Sequence, residues 1–421
     1  MNVRQRIEEI AGRLAPRSQG IAFPREYAVI VGAVTALVAF GTVMVYSASS
    51  AQTGFSLPLR TVFLGLSLGI PACLIARRVP LDEVRRHSRA LMAIGILLLV
   101  LVLIPGLGQS INGARRWLGA GPVSFQASEI AKVALVLFLS SRLLAVPASM
   151  GSIVDTIRLT MWPLLAAVFL IAIEPDMGTA LVCLATGLAI YWLAGTPWRV
   201  LGPICGGLGA LAVFFAVISP YRFARLTAFI DPGGDPTGAG FQSMQGQIAI
   251  GSGGITGVGP GQSVQKIFYL PEAHTDFILA VIGEELGLFA LLGLLLGFGA
   301  IAWAGIRVSQ RATDPYAKLV AAGMTTLVTC QAMLNICVVL GIAPLTGVPL
   351  PFISYGPTNL VVLLSAVGLL LNVAAGGGKH LRAVDGDANS SESGRHAGTD
   401  RSGRNGGARR SGAERRRRTA G

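Results

Sequence analysis

A chain of 421 residues is long enough for two or three soluble domains, yet only 13% of it is charged, 52% is apolar and the mean hydropathy is +0.63. Soluble domains carry about 25% charged residues, so this composition excludes an ordinary soluble protein and makes lipid the expected solvent. The net charge of +13 does not call for a nucleic-acid partner, because its distribution along the chain has a topological explanation.

Residues 1–26 form a polar leader with five arginines. The apolar run that follows has the length of a membrane span rather than of a signal-peptide core, so no cleaved signal is expected. Ten apolar stretches follow the leader, at roughly 27–47, 58–76, 90–107, 124–144, 159–173, 177–194, 199–219, 276–305, 316–343 and 356–376. Each is near the ~20 residues that a helix needs to cross ~30 Å of hydrocarbon. The expected fold is all-α and polytopic, with a long outer loop at 220–275 between the seventh and eighth spans. The fifth and sixth spans meet at Glu174-Pro175-Asp176, where Pro ends a helix and the carboxylates are expected in water. The 54 glycines suit close helix packing in lipid. Cys73, Cys183, Cys205, Cys330 and Cys337 all fall in apolar stretches without a C-x-x-C pair. They read as small buried hydrophobes, with no disulfide framework and no metal site.

With the N-terminus inside, 27 of the 34 lysines and arginines fall on inner segments. The outer side keeps Arg60, Arg115, Arg116, Arg222, Arg225 and Lys266, and Lys132 lies within a span. The positive-inside bias therefore places both termini in the cytoplasm. The tail 377–421 is rich in Gly, Ser, Asn and Arg, cannot bury a core and is expected to be disordered. Its first reading is a solvated topogenic tail; contact with anionic lipid or a cytoplasmic partner is the alternative.

Chemistry is sought where residues break membrane rules. The outer loop carries a Gly-rich stretch from Gly251 to Gly261 and then Glu272, His274, Thr275 and Asp276. It lacks the Gly-Lys-Ser/Thr ending of a phosphate loop, so the stretch reads as backbone packed closely on helices, folded back on the bundle mouth. Asp276 begins the eighth span, where a carboxylate is either a helix cap or an outward-facing base or metal ligand. Glu284 and Glu285 lie ~2.5 turns deeper, where carboxylates are usually paired or line a cavity. Arg115, Arg116 and Trp117 suit a pyrophosphate beside lipid or an interfacial anchor. Glu129 and Lys132 share one face of the fourth span at i,i+3, either bracing helices or lining a polar cavity.

Residues 269–287, Y-L-P-E-A-H-T-D-F-I-L-A-V-I-G-E-E-L-G, closely resemble the signature of the SEDS family (shape, elongation, division, sporulation). V-Y-S-A-S-S near 45, N-G-A-R-R-W-L and S-E-I-A-K at 112–132, E-P-D-M-G-T-A at 174–180 and P-L-T-G-V-P-L-P-F-I-S-Y-G at 344–356 match in register. The likeness covers roughly 27–375, and Pro271-Glu272-Ala273-His274 looks more like the division branch than the elongation branch. The resemblance implies a ten-span peptidoglycan glycosyltransferase that polymerises lipid II outside the cytoplasmic membrane, at the division septum. A lipid II flippase and a non-catalytic division scaffold are the alternatives. It also implies a class B penicillin-binding transpeptidase and other division proteins as partners. Asp276 matches the family's essential loop aspartate, Trp117 its outer tryptophan, and Glu129 with Lys132 its cavity pair. Arg60 matches an outer arginine of the second span, here followed by Thr61 in place of Gln. Gly356-Pro357-Thr358-Asn359 replaces the usual Gly-Gly-Ser-Ser turn.

The implied reaction needs a base near the attacking hydroxyl and cations on the leaving pyrophosphate. Asp276 is assigned the base. Arg115, Arg116, Lys266 and Arg222 are assigned to the pyrophosphate, and Glu272 and His274 add titratable groups to the substrate site. A divalent cation, Mg or Mn, would help pyrophosphate depart, though no ligand set is readable. No organic cofactor is expected.

Overall fold

The computed structural model describes residues 22–49, 56–111, 114–120, 123–146, 151–234, 238–267, 270 and 273–376. The leader up to residue 21, the tail from 377 and Glu272 lie outside the described residues, as does the side chain of Arg60.

Among the described residues seven helices are long and apolar enough to cross a membrane: α1 (Pro24–Ser49), α3 (Leu81–Leu103), α5 (Ile153–Ile173), α7 (Trp198–Ile218), α10 (Ile278–Arg311), α11 (Pro315–Val339) and α12 (Pro357–Ala374). Three more occupy the remaining predicted stretches: α2 (Ser56–Arg78), α4 (Ala127–Ala145) and the shorter α6 (Met177–Leu193). The chain is thus a multi-pass membrane protein. Burial sorts the helices, since 83% of the apolar window of α12 and 67% of that of α11 are buried, against 11% for α7. The centre of the bundle is therefore α11 and α12, and α7 lies at its edge.

The two ends of the bundle are set apart by side-chain ties. At one end Arg311, closing α10, pairs with Glu26 of α1 at 2.6 Å. Asn372 of α12 donates there to the carbonyls of Ala76 and Val79, and Phe23 N donates to Ala374 O. Beyond its break at Gly287 α10 runs ~36 Å to Arg311, and Asn335, near the far end of the α11 that starts at Pro315 just after Arg311, donates to Asp276 O, so Asp276 lies at the opposite end.

That opposite end holds elements outside the ten predicted spans. Residues 108–126 form a three-stranded antiparallel sheet, β1 (Gly108–Ile111), β2 (Ala114–Ala120) and β3 (Val123–Gln126). This small sheet qualifies the all-α expectation, and it moves the start of the fourth span from 124 to Ala127. The long loop between α7 and α10 also carries two helices, α8 (Pro220–Ile230) and α9 (Ala239–Gly253).

The Gly-rich stretch does fold back on the bundle. Val258 N and Gly259 N donate to the carbonyls of Glu284 and Glu285, and Leu288 N donates to Gly254 O. These bonds are made where α10 is broken at Gly287, whose φ is 68°. The opposing Gly257 has φ 81°, and a Cβ there would lie 2.2 Å from Glu285 O. Only glycine permits both that backbone and that approach.

Candidate functional site

Asp276 sits in a turn just ahead of α10. The cap position belongs to Phe277, which makes no side-chain capping bond, so Asp276 is not the helix cap that its place in the sequence allowed. Its carboxylate is half-buried and accepts from Thr275 Oγ1 at 3.2 Å. Its main chain is fixed from the bundle core, where Asn335 Nδ2 donates to Asp276 O at 2.7 Å and to Val348 O at 2.8 Å. One amide of α11 thereby locks the Asp276 turn to the segment 344–356. That segment passes close by, since a Cβ on Gly347 would lie 3.8 Å from Asp276 Oδ2. His274 joins it too, accepting at its carbonyl from Tyr355 N at 3.0 Å, with its ring edge-on to Tyr355 at 5.2 Å.

The turn 174–176 links the sheet to the same segment. β1 and β2 slip register between Gln109 and Ser110, which pair with Trp117 and Arg115, leaving Arg116 as the extra residue of a bulge. A bulge re-aims a side chain. Here Arg116 Nε donates to Glu174 O at 3.2 Å, and its Nη2 donates to Pro175 O. Trp117 lies on the middle strand between Gln109 and Gln126. Gln126 Nε2 and Ser128 Oγ donate to Asp176 Oδ2 at 2.9 and 3.3 Å, and Thr179 N donates to Asp176 Oδ1 at 3.2 Å. Just beyond, a Cβ at Gly178 would lie 2.0 Å from Val348 Cγ2, so 344–356 packs directly on the start of α6.

Below this layer runs a buried polar chain. Lys132 Nζ bonds Glu129 Oε1 at 2.9 Å and Gln331 Oε1 at 2.8 Å; Gln331 Nε2 donates to Asn359 Oδ1 at 3.1 Å and to Pro349 O at 3.0 Å. Both ionic groups are 1% exposed. The charged pair braces α4 against α11, and through Gln331 it fixes the same segment that faces Asp276. The unusual turn fits this scheme. Pro357 occupies the first turn of α12, where no N–H is needed, and Asn359 supplies the acceptor for Gln331.

The chain matches the FtsW/RodA/SpoVE cell cycle protein family over residues 27–377. Stage V sporulation protein E of Bacillus subtilis (strain 168) is 40% identical over 349 residues, covering 80% of this chain and 94% of that protein. A probable peptidoglycan glycosyltransferase FtsW of Alkalilimnicola ehrlichii is 39% identical over 368 residues, covering 85% and 91%. This chain belongs to the FtsW/RodA/SpoVE family. Among solved structures, a chain from a peptidoglycan synthase complex studied for coordination of polymerization and crosslinking superposes with TM-score 0.69 at 30% identity, covering 83% of this chain and 98% of that one. The rod shape determining protein RodA of Thermus thermophilus gives 0.60 at 28% identity, covering 82% and 95%.

Several candidates of this FtsW/RodA/SpoVE chain sit differently from the sequence expectation. Lys266 does not face an outer anion. It is 3% exposed, with Nζ 2.7 Å from Glu285 Oε1 and 3.1 Å from Ser47 Oγ. Glu285 also accepts from Gly261 N at 2.9 Å, and Glu284 accepts from Val264 N at 3.0 Å and from Ser263 Oγ. These two carboxylates and Lys266 fasten the re-entrant loop to the break in α10. Arg222 donates to Ala172 O, and Arg225 Nη1 to Leu345 O at 3.2 Å. Arg115, by contrast, is exposed and makes no ion pair among the described residues. No group of three or more His, Cys, Asp or Glu side chains that could hold a metal is found among the described residues.

Glu174 and Asp176 are not in water as expected, being 1% and 2% exposed. Asp176 is compensated by its three donors. Glu174 has none among the described residues. Burial, reinforced by Asp176 and partly opposed by Arg116, pushes its carboxyl from 4.5 up to about 8. The folded state then holds a proton that the unfolded chain releases near 4.5. Stability is therefore greatest at low pH and falls as pH rises towards 8. Thermal unfolding of Glu174→Gln in detergent should show a flatter pH dependence over that window and a higher Tm than the parent at pH 8. Parallel slopes for the two proteins would contradict the assignment.

Proposed function

We propose that this chain is a peptidoglycan glycosyltransferase that polymerises lipid II into glycan strands during cell division. The active face is the end of the bundle carrying Asp276, turned away from the cytoplasm, with both termini cytoplasmic. The observation that carries the reading is the half-buried Asp276 carboxylate, held at that end by Asn335 and facing 344–356, in a chain of the FtsW/RodA/SpoVE family.

In this reading the 4-hydroxyl of one lipid II attacks the anomeric carbon of another chain. The new oxygen–carbon bond forms as the bond to pyrophosphate breaks, and undecaprenyl pyrophosphate leaves with the electron pair. The configuration inverts. Asp276 orients the hydroxyl and accepts its proton late. Arg115 offers an uncommitted guanidinium to the pyrophosphate. Arg116 adds charge beside it, with two of its five donors committed to the 174–175 carbonyls. Glu129 and Lys132 position the site from below rather than touching the reacting atoms. The partners are a class B penicillin-binding transpeptidase and other division proteins at the septum, a reading supported by the likeness to a synthase complex that couples polymerization and crosslinking. Purified chain supplied with lipid II should release one undecaprenyl pyrophosphate for each glycosidic bond formed. Lipid II consumption without pyrophosphate carrier release would contradict the reaction.

A further inference from the structure

A groove of about 660 Å³ opens between α3, α4 and α5, at a place that the glycosyltransferase chemistry does not use. Its wall on α3 runs from Arg89 through Met92, Ile96 and Leu97 to Val100, and Phe138 and Trp162 line the other side. Leu97, Val100 and Trp162 are 54%, 41% and 57% exposed, so the groove faces the hydrocarbon. From Arg89 to Val100 a helix rises ~16 Å, about half of a ~30 Å hydrocarbon core. The groove thus matches one leaflet in length.

Its polar end is built from two arginines, Arg89 and Arg142, and no carboxylate lines it. α3 begins two residues after Val79, whose carbonyl is tied to Asn372, and α4 ends near Arg142. Both arginines therefore lie towards the bundle end opposite Asp276. Arg142 is pinned in place by a backbone defect. Pro163 has no N–H to give Leu159 O four residues earlier, next to the π-helical turn Thr156–Met161, and Arg142 Nε donates to that carbonyl at 3.0 Å. The rest of its guanidinium, and all of that of Arg89, has no partner among the described residues.

We infer that this groove binds one anionic glycerophospholipid of the leaflet on that side, with its phosphate between Arg89 and Arg142 and one acyl chain along α3. The site is separate from the Asp276 face and does not depend on the reaction performed there. An interfacial lysine or arginine near an anionic headgroup contributes a factor of about five in affinity.

The test is native mass spectrometry of the purified full chain, delipidated in detergent and titrated with phosphatidylglycerol or phosphatidylcholine. One phosphatidylglycerol should bind more tightly than any phosphatidylcholine. Arg89→Gln should weaken that event about fivefold, and Arg89→Gln with Arg142→Gln about 25-fold. Ala93→Trp should abolish it by filling the groove, and this arm stands even where loss of the Arg142 bond to Leu159 impairs folding. Equal affinity for the two lipids, or unchanged binding in both Arg89→Gln and Ala93→Trp, would overturn the site. Tighter capture of undecaprenyl phosphate than of phosphatidylglycerol would overturn the choice of occupant.

Discussion

Asp276→Asn should lower lipid II polymerisation by about 10²- to 10⁴-fold, the range that a positioned general base contributes, while leaving the protein folded. Asn keeps the shape of the side chain and can still accept from Thr275 Oγ1, which lies 3.2 Å from the carboxylate. Asn335 holds this turn by bonds to its main chain and to Val348, and neither is touched. The capping bond that would otherwise cost ~1 kcal/mol to remove is not made by Asp276, because Phe277 occupies the cap position. The expected result is therefore a steep loss of rate with a Tm within a few degrees of the parent. Polymerisation at parental rate would mean that the proton leaves by another route. A large fall in Tm with Asp276→Asn would mean that the carboxylate is structural after all.

Lys132→Met should have the largest effect on stability. It strands Glu129 beside Gln331 with 1% of its side chain exposed. Removing one partner of a buried ion pair costs ~3–5 kcal/mol, whereas replacing both with apolar or neutral groups of similar size is often close to neutral. Glu129→Gln combined with Lys132→Met should accordingly recover most of the lost Tm. Activity should recover less, because the double variant no longer holds Gln331 and, through it, Pro349 and Asn359. Equal losses of stability in the single and double variants would show that the pair is not the buried brace described here.

Much of the bundle was legible in the sequence because its signals are local. A run of about 20 apolar residues needs no partner to be read, and each of the ten stretches overlaps a helix among the described residues, although α3 starts at Leu81 and ends at Leu103 where 90–107 was expected. The Asp276 segment was legible through its run of motif residues, and the Gly-rich stretch through its composition. What escaped depends on contacts between distant positions. Arg116 meets Glu174 and Pro175 across 58 and 59 residues, and Gln126 meets Asp176 across 50; spacing along one helix does not encode such pairs. For the same reason Glu174 and Asp176 looked solvated, and Lys266 looked like an anion ligand when Glu285 had already taken it. The sheet was hidden because 108–126 has short strands and a bulge rather than a clean two-residue alternation. Gln331 and Asn335 left one usable signal, since two amides at i,i+4 inside an apolar span mark a polar face.

The measurement that tests the central claim most directly follows fluorescent lipid II in proteoliposomes holding this chain with its cognate transpeptidase, reading both glycan strands and lipid movement between leaflets. Parent protein should form strands from lipid II already on the Asp276 face, and Asp276→Asn should form none at equal protein and equal Tm. Lipid II crossing the bilayer with no strand formed, unchanged by Asp276→Asn, would contradict the glycosyltransferase account and leave a flippase in its place.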